Sequence, residues 1–243
     1  MDQISVIAAS GLSARMQSLD LLANNMANSS TSGYKGDGEF YTVYTSEAAD
    51  ADASGTPTTL PMIQRQWTDF AQGLLEPTNN PLDFGIQGKG LFTVQGPSGP
   101  LYTRNGNFHV SVEGKLTTSD GYPVLLRDGE PVKADPTQPV EVSLEGEVRQ
   151  KGQTLGQLQL VEFKDTSGLL KQGSNYFRNT SGQAPANATD ILVHQGQIES
   201  SNVNAAHGAV RLVGVMRQFE MMQKAISISN DMGRKAIEEV AKV

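Results

Sequence analysis

Leu19-Asp-Leu-Leu-Ala-Asn-Asn-Met-Ala-Asn28 closes one helical segment, and Ser201-Asn-Val-Asn204 opens another. The first reads back to Gln3 and the second runs forward to Val243. In the first, Leu12, Met16, Leu19, Ala23 and Met26 recur at three- and four-residue steps, which sets them on one helical face. Ile4, Ile7, Gly11, Ala14 and Leu21 form a second stripe, weaker and built partly of small residues. In the last segment, Leu212, Val215, Phe219, Met222, Ile226, Ser229, Gly233, Ala236 and Val240 keep a heptad-like register, with Met221, Ala225, Ile228 and Met232 beside it. Asn204 is suited to cap that helix, because its side-chain oxygen can accept from an orphan amide of the first turn. Gly33, free to take positive φ, is expected to terminate the first helix. Helices striped on two sides need more than one partner. Gly11, Ala14, Gly208, Ala209 and Gly214 would let helices from several subunits approach closely.

Between the helices the pattern changes to strands and turns. Leu91-Phe-Thr-Val94, Leu101-Tyr-Thr-Arg104, Asn107–Val112, Lys115–Thr118, Tyr122–Leu126, Val140–Leu144 and Leu158–Phe163 alternate or run apolar, separated by glycine-rich turns. Gly96-Pro-Ser-Gly99 reads as one turn, and Asn105-Gly106 as the turn of a hairpin. This predicts an α+β protein, with a central all-β antiparallel domain between helical termini. Residues 37–64 are of another kind. Asp37, Glu39, Glu47, Asp50 and Asp52 carry no basic residue among them, and Ala, Ser, Thr and Pro fill the rest. This segment reads as an extended acidic linker that Phe40-Tyr41 and Trp67 with Phe70 could pin to a surface.

Composition narrows the function. A chain of 243 residues with 37% hydrophobic and 6% aromatic content has a thin, divided core. No apolar window reaches the roughly 18 residues of a membrane helix, so no membrane insertion is expected. Met1–Ala9 lacks the basic n-region of a cleavable signal. The absence of cysteine excludes disulfides and thiolate metal sites. A net charge of −7 with no basic patch argues against a nucleic-acid partner. His109, His194 and His207 do not stand at metal-ligand spacing. Gly85-Ile-Gln-Gly-Lys-Gly90 runs into a strand rather than a helix, so it lacks the helix N-terminus that cradles phosphate; it reads as a turn with closely approaching backbones. There is no GxSxG elbow and no singled-out carboxylate pair. No catalytic, cofactor-binding or metal residue is assigned, and the chain reads as no enzyme.

Three motifs carry a family likeness. Leu22-Ala-Asn-Asn-Met-Ala-Asn28 with Thr31-Ser-Gly-Tyr-Lys35 resembles the N-terminal signature of the bacterial flagellar rod, hook and hook-associated proteins. Asn79–Val94 with Tyr102–Phe108 is similar to the β-domain signature of rod and hook members, and Gln195–Asn204 to the C-terminal one. The length and the Arg217-Gln-Phe-Glu-Met221 run resemble the proximal-rod branch more than the distal-rod branch.

The resemblance implies a discontinuous, coiled-coil-like inner domain made of both terminal helices and lining a tube. It divides the chain into residues 1–36 (first helix), 37–72 (acidic linker), 73–193 (β domain) and 194–243 (last helix). It implies a structural subunit of the basal-body rod, a drive shaft around the export channel. Its partners would be copies of itself, other axial rod subunits and the flagellar type III export apparatus, through which it would leave without a cleaved signal to span the periplasm. Joined to the helical stripes, it sets the expected assembly interface at Leu12, Leu19, Asn25, Met26, Asn28, Gly33, Tyr34, Asn202, Asn204, Leu212, Val215, Phe219, Met222 and Ile226. Leu12, Leu19 and Met26 should pack on Leu212, Phe219 and Ile226 within a subunit, and the second stripes should meet neighbours.

Overall fold

The computed structural model describes residues 3–45, 59–173 and 175–240. The chain is α+β and divides into two compact units. One comprises Met1–Ala27, Asp37–Trp67 and Asn204–Val243; the other comprises Asn28–Gly36 and Thr68–Val203.

The helical unit holds α1 (Gln3–Ala27), β1 (Asp37–Thr45), β2 (Thr59–Thr68) and α2 (Ala205–Val240). The two helices pack against each other, and β1 pairs with β2. The segment read as linker is therefore partly a two-stranded sheet; residues 46–58 of it lie outside the described residues. The Trp67 indole lies over Gly38, where a Cβ would come within 2.6 Å of the ring, and Phe40 stacks on the same indole at 5.8 Å. Asn204 caps α2 as expected, with its Oδ1 accepting from the His207 amide at 2.9 Å.

The β unit is built on a six-stranded antiparallel sheet. Its spatial order is Leu169–Lys171, Tyr176–Asn179, Gly99–Thr103, Leu91–Gly96, Leu160–Glu162, Ala186–Asn187. Gly96-Pro-Ser-Gly99 is the hairpin turn the sequence predicts. Alternation sends Phe92, Val94 and Leu101 into a large cluster with Phe84, Ile86, Phe108, Leu116, Val124 and Leu158. The other sheet face sends Leu91, Tyr102, Val161 and Phe177 into a smaller cluster with Phe163 and Leu169. A strand buried on both faces reads as a continuous apolar run, which is what Leu91-Phe-Thr-Val94 shows. Each fully buried Phe contributes about 1.5–3 kcal/mol of transfer free energy.

Asn105-Gly106 is not a hairpin turn. Gly99–Thr103 pairs with Leu91–Gly96 and Tyr176–Asn179, whereas Phe108–Val110 pairs with Leu116–Thr118. Gly106 serves close approach instead: its carbonyl accepts from the Phe84 amide, and a Cβ on it would stand 1.7 Å from the Phe84 oxygen.

Candidate functional site

Among the described side chains of α1 the buried ones are Gly11, Ala14, Ser18, Leu21, Leu22 and Asn25. The expected first face splits: Leu12, Leu19 and Met26 are half-buried, Ala23 is exposed and Met16 is 57% exposed. Gly11, Ala14 and Leu21 of the weaker stripe are the residues that face inward; the side chains of Ile4 and Ile7 lie outside the description. Hydropathy counting ranked this face second because two of its members, Ser18 and Asn25, are polar. Ser18 Oγ donates to Ala14 O at 3.1 Å and to Glu39 Oε2 at 2.8 Å, and Glu39 Oε1 accepts from Arg211 of α2 at 3.1 Å. Asn25 behaves as a displaced peptide group. Its Nδ2 donates to Asp37 O at 2.7 Å and its Oδ1 accepts from Asp37 N at 2.9 Å, which satisfies the backbone where β1 begins.

The α2 heptad positions face inward from Leu212 to Ser229, whereas Gly233 is exposed and the side chains of Ala236 and Val240 lie outside the description. Val215 is buried, and Leu212, Phe219, Met222, Ile226 and Ser229 are half-buried. The stripe beside it is open: Val210 is 75% exposed, Met221 63%, Ile228 50% and Met232 62%. At 100° per residue these four, with Gly214 and Ala225, fall within about 60° of arc, roughly 125° from the seam.

The other expected interface residues have a different place. Asn28 lies in the β unit, where its backbone and side-chain oxygens accept from Thr31. Gly33, Tyr34 and Asn202 belong to a buried network in the β unit rather than to a helix face. α1 ends six residues before Gly33. Gly33 takes φ +68° so that its backbone can lie against Arg104–Asn105, and a Cβ would stand 2.3 Å from the Asn105 nitrogen. Its amide donates to Glu199 O at 2.6 Å. Asn202 clamps two segments: Oδ1 accepts from Gly36 N at 2.8 Å, and Nδ2 donates to Asp69 O and Ala71 O. Tyr34 is buried, with the Lys171 ammonium 4.2 Å from its ring centroid.

At the centre of this network is Glu199, with no side-chain exposure. Oε1 accepts from Lys35 Nζ at 2.5 Å and from Gly73 N at 2.7 Å, and Oε2 accepts from Arg104 Nη1 at 3.0 Å. Lys35 also donates to Ala71 O, and Arg104 to Ile86 O and Gly88 O. Burial pushes the Lys35 and Arg104 pKa values down, and the Glu199 carboxylate pulls both back up. Sequence reading missed this triad because its members stand far apart in the chain and look like ordinary surface charges. Their places inside the three motifs were the one available signal.

Two of the histidines have side-chain partners. His109 Nε2 meets Thr117 Oγ1 at 3.1 Å and His194 Nε2 meets Gln87 Oε1 at 2.9 Å. Among the described residues no group of three metal-ligating side chains converges, and no helix is long and apolar enough to cross a membrane.

Comparison with known proteins gives these two features a family. Residues 7–35 match the family described as flagella basal body rod protein, residues 85–150 the flagellar hook protein FlgE/F/G D1 domain, and residues 194–239 the flagellar basal body rod FlgEFG protein C-terminal region. The basal-body rod protein FlgF of Caulobacter vibrioides is 34% identical, over 96% of this chain and 97% of the relative. FlgG of Buchnera aphidicola subsp. Schizaphis graminum is 31% identical over 94% and 96%, and FlgF of Mesorhizobium japonicum 30% over 93% and 94%. The chain belongs to the flagellar basal-body rod protein family. Each matched region of the rod family supplies one member of the triad: Lys35 from the first, Arg104 from the second, Glu199 from the third. The family is a structural one.

Proposed function

We propose that this rod subunit polymerises through its two terminal helices, which form a coiled-coil-like inner domain, into the proximal part of the drive shaft that transmits torque and encloses the export channel. Leu12, Leu19 and Met26 of α1 and Leu212, Val215, Phe219, Met222 and Ile226 of α2 hold the helix pair together, and Asn25 and Asn204 fix where its elements begin. Neighbouring axial subunits, copies of itself or other rod proteins, cover the outer stripe. The chain reaches the periplasm-spanning rod through the flagellar type III export apparatus without a cleaved signal.

The observation that carries this reading is the outer stripe itself. Val210, Met221, Ile228 and Met232 are all at least half exposed along one face of a 36-residue helix. An exposed apolar stripe of that length marks an interaction surface. The proximal assignment is supported by the 34% identity with FlgF of C. vibrioides, against 31% with the B. aphidicola FlgG. The test is Phe219→Asp, expressed in cells lacking the native protein. Rod assembly and motility should be lost while the purified variant keeps a β unit of unchanged stability. Complete rods built from the variant would remove Phe219 from the assembly.

A further inference from the structure

The triad has two cations to one carboxylate. Both Glu199 oxygens are engaged, Oε1 by Lys35 and Gly73 and Oε2 by Arg104. A further negative charge acting on Lys35 is Asp69, whose Oδ1 accepts from the Ala71 amide. Arg104, 4% exposed, uses Nη1 and Nη2; its Nε–H and one Nη2 hydrogen take no partner among the described residues. Neither donor is sealed away, since the one buried side-chain atom without a partner among the described residues is Thr93 Oγ1, so the guanidinium keeps donors free for an acceptor in the cavity it lines.

Arg104 also lines a cavity of about 370 Å³ in the β unit. Lys89 and Lys164, both exposed, stand on the same cavity. Phe70, Val161 and Phe163 supply apolar wall. The rings are held in place: Phe70 packs on Phe177 with centroids 4.9 Å apart, and Phe163 meets Tyr102 edge-on at 4.9 Å. One carboxylate, Glu162, opposes the three cations. A few polar groups converging on rigid apolar walls is the anatomy of a ligand site.

We infer that this cavity binds an organic carboxylate, with the acid group between Arg104 and the two lysines and an apolar or aromatic body against Phe70 and Phe163. Arg104 is suited to the role because its planar fork can take a second carboxylate oxygen while still holding Glu199. The carboxylate can arrive as a free acid or as an acidic side chain beside an apolar residue in another protein chain. Both offer the same chemistry. The inference does not depend on how the helices assemble.

The experiment is titration of the full chain followed by amide NMR at Lys89, Gly90 and Thr166. One arm uses phenylacetate and the other N-acetyl-aspartyl-phenylalanine amide; neutral phenylacetamide is the control. Saturable shifts with Kd on the order of 1–10 mM are expected for the acids, the scale of one charge-assisted contact plus a ring. Lys89→Ala with Lys164→Ala, both at exposed positions, should weaken binding about ten-fold, and Glu162→Gln should strengthen it about three-fold. A tighter peptide arm assigns the carboxylate to a protein side chain, and a tighter phenylacetate arm to a free acid. Equal binding of phenylacetamide, an unaffected double-lysine variant, or no saturation by about 50 mM in either arm overturns the site.

Discussion

The two units solve opposite problems. The β unit closes its own apolar core: its sheet is covered on both faces, and three distant segments are tied by Glu199 and Asn202. Among the described residues the helical unit buries a face that mixes Leu21, Leu22 and Val215 with small and polar residues, Gly11, Ala14, Ser18 and Asn25, and leaves Val210, Met221, Ile228 and Met232 outside. A self-sufficient unit resists change in its interior, whereas an unfinished one should tolerate surface change in isolation and lose its purpose in assembly. The difference teaches that burial within one chain is a poor guide to which residues matter for a polymerising protein.

That contrast can be broken at its strongest point by Glu199→Ala. It leaves Lys35 and Arg104 buried without their carboxylate, and removing one partner of such a group costs about 3–5 kcal/mol. Urea unfolding followed by near-ultraviolet circular dichroism should show the β unit lose that much; an unchanged midpoint would mean the triad does not hold it together. Next in size is Gly33→Ala, at about 1–3 kcal/mol for the positive φ alone, with the Asn105 backbone forced to shift as well. The same unfolding assay reads it, and a loss confined to α1 protection would instead return Gly33 to the role of helix terminator.

Smaller still is Asn25→Ala in the helical unit, which frees the Asp37 amide and carbonyl and costs about 1–2 kcal/mol. Faster hydrogen exchange at the start of β1, with the β unit unaffected, is the expected signature. Tyr176 sharpens the comparison through pH. Burial raises its phenol pKa, against a lowering hydrogen bond with Thr118, and Asp120 raises it further. Its contribution is therefore complete below the ordinary value of 10.0 and is lost as pH climbs toward the raised one. Ultraviolet titration of the folded protein against Tyr176→Phe should show no phenolate signal from Tyr176 at pH 10. Least of all for folding is Ile228→Asp, expected within about 0.5 kcal/mol of the native monomer's stability because the side chain is 50% exposed. Rod formation, scored in purified basal bodies, should nevertheless fail. A destabilised monomer would show that the outer stripe is part of the fold.

Much of the fold was legible because local periodicity carries it. The 3.6-residue stripe of α2 and its Asn204 cap, the Leu91–Gly96 strand and the Gly96–Gly99 turn depend on residues near one another in the chain. The α1 face was harder, since Ser18 and Asn25 look polar to any hydropathy count yet are buried by making specific hydrogen bonds. Asn105-Gly106 misled for a related reason: a turn-forming dipeptide adopts whatever its tertiary neighbour needs, here the close approach of Phe84.

By itself the sequence determined the secondary-structure types, the helical termini, the all-β centre and, through three ordered motifs, the family. Those are properties of short windows and of resemblance. Only the tertiary structure decided what the motifs do. Residues 28–36 and 194–203, expected to belong with the helices, fold into the β unit, because one carboxylate from the last segment meets a lysine and an arginine supplied by the other two. Pairing between residues 164 and 95 positions apart leaves no period in the chain, and a charge destined for burial has the same letter as one destined for water.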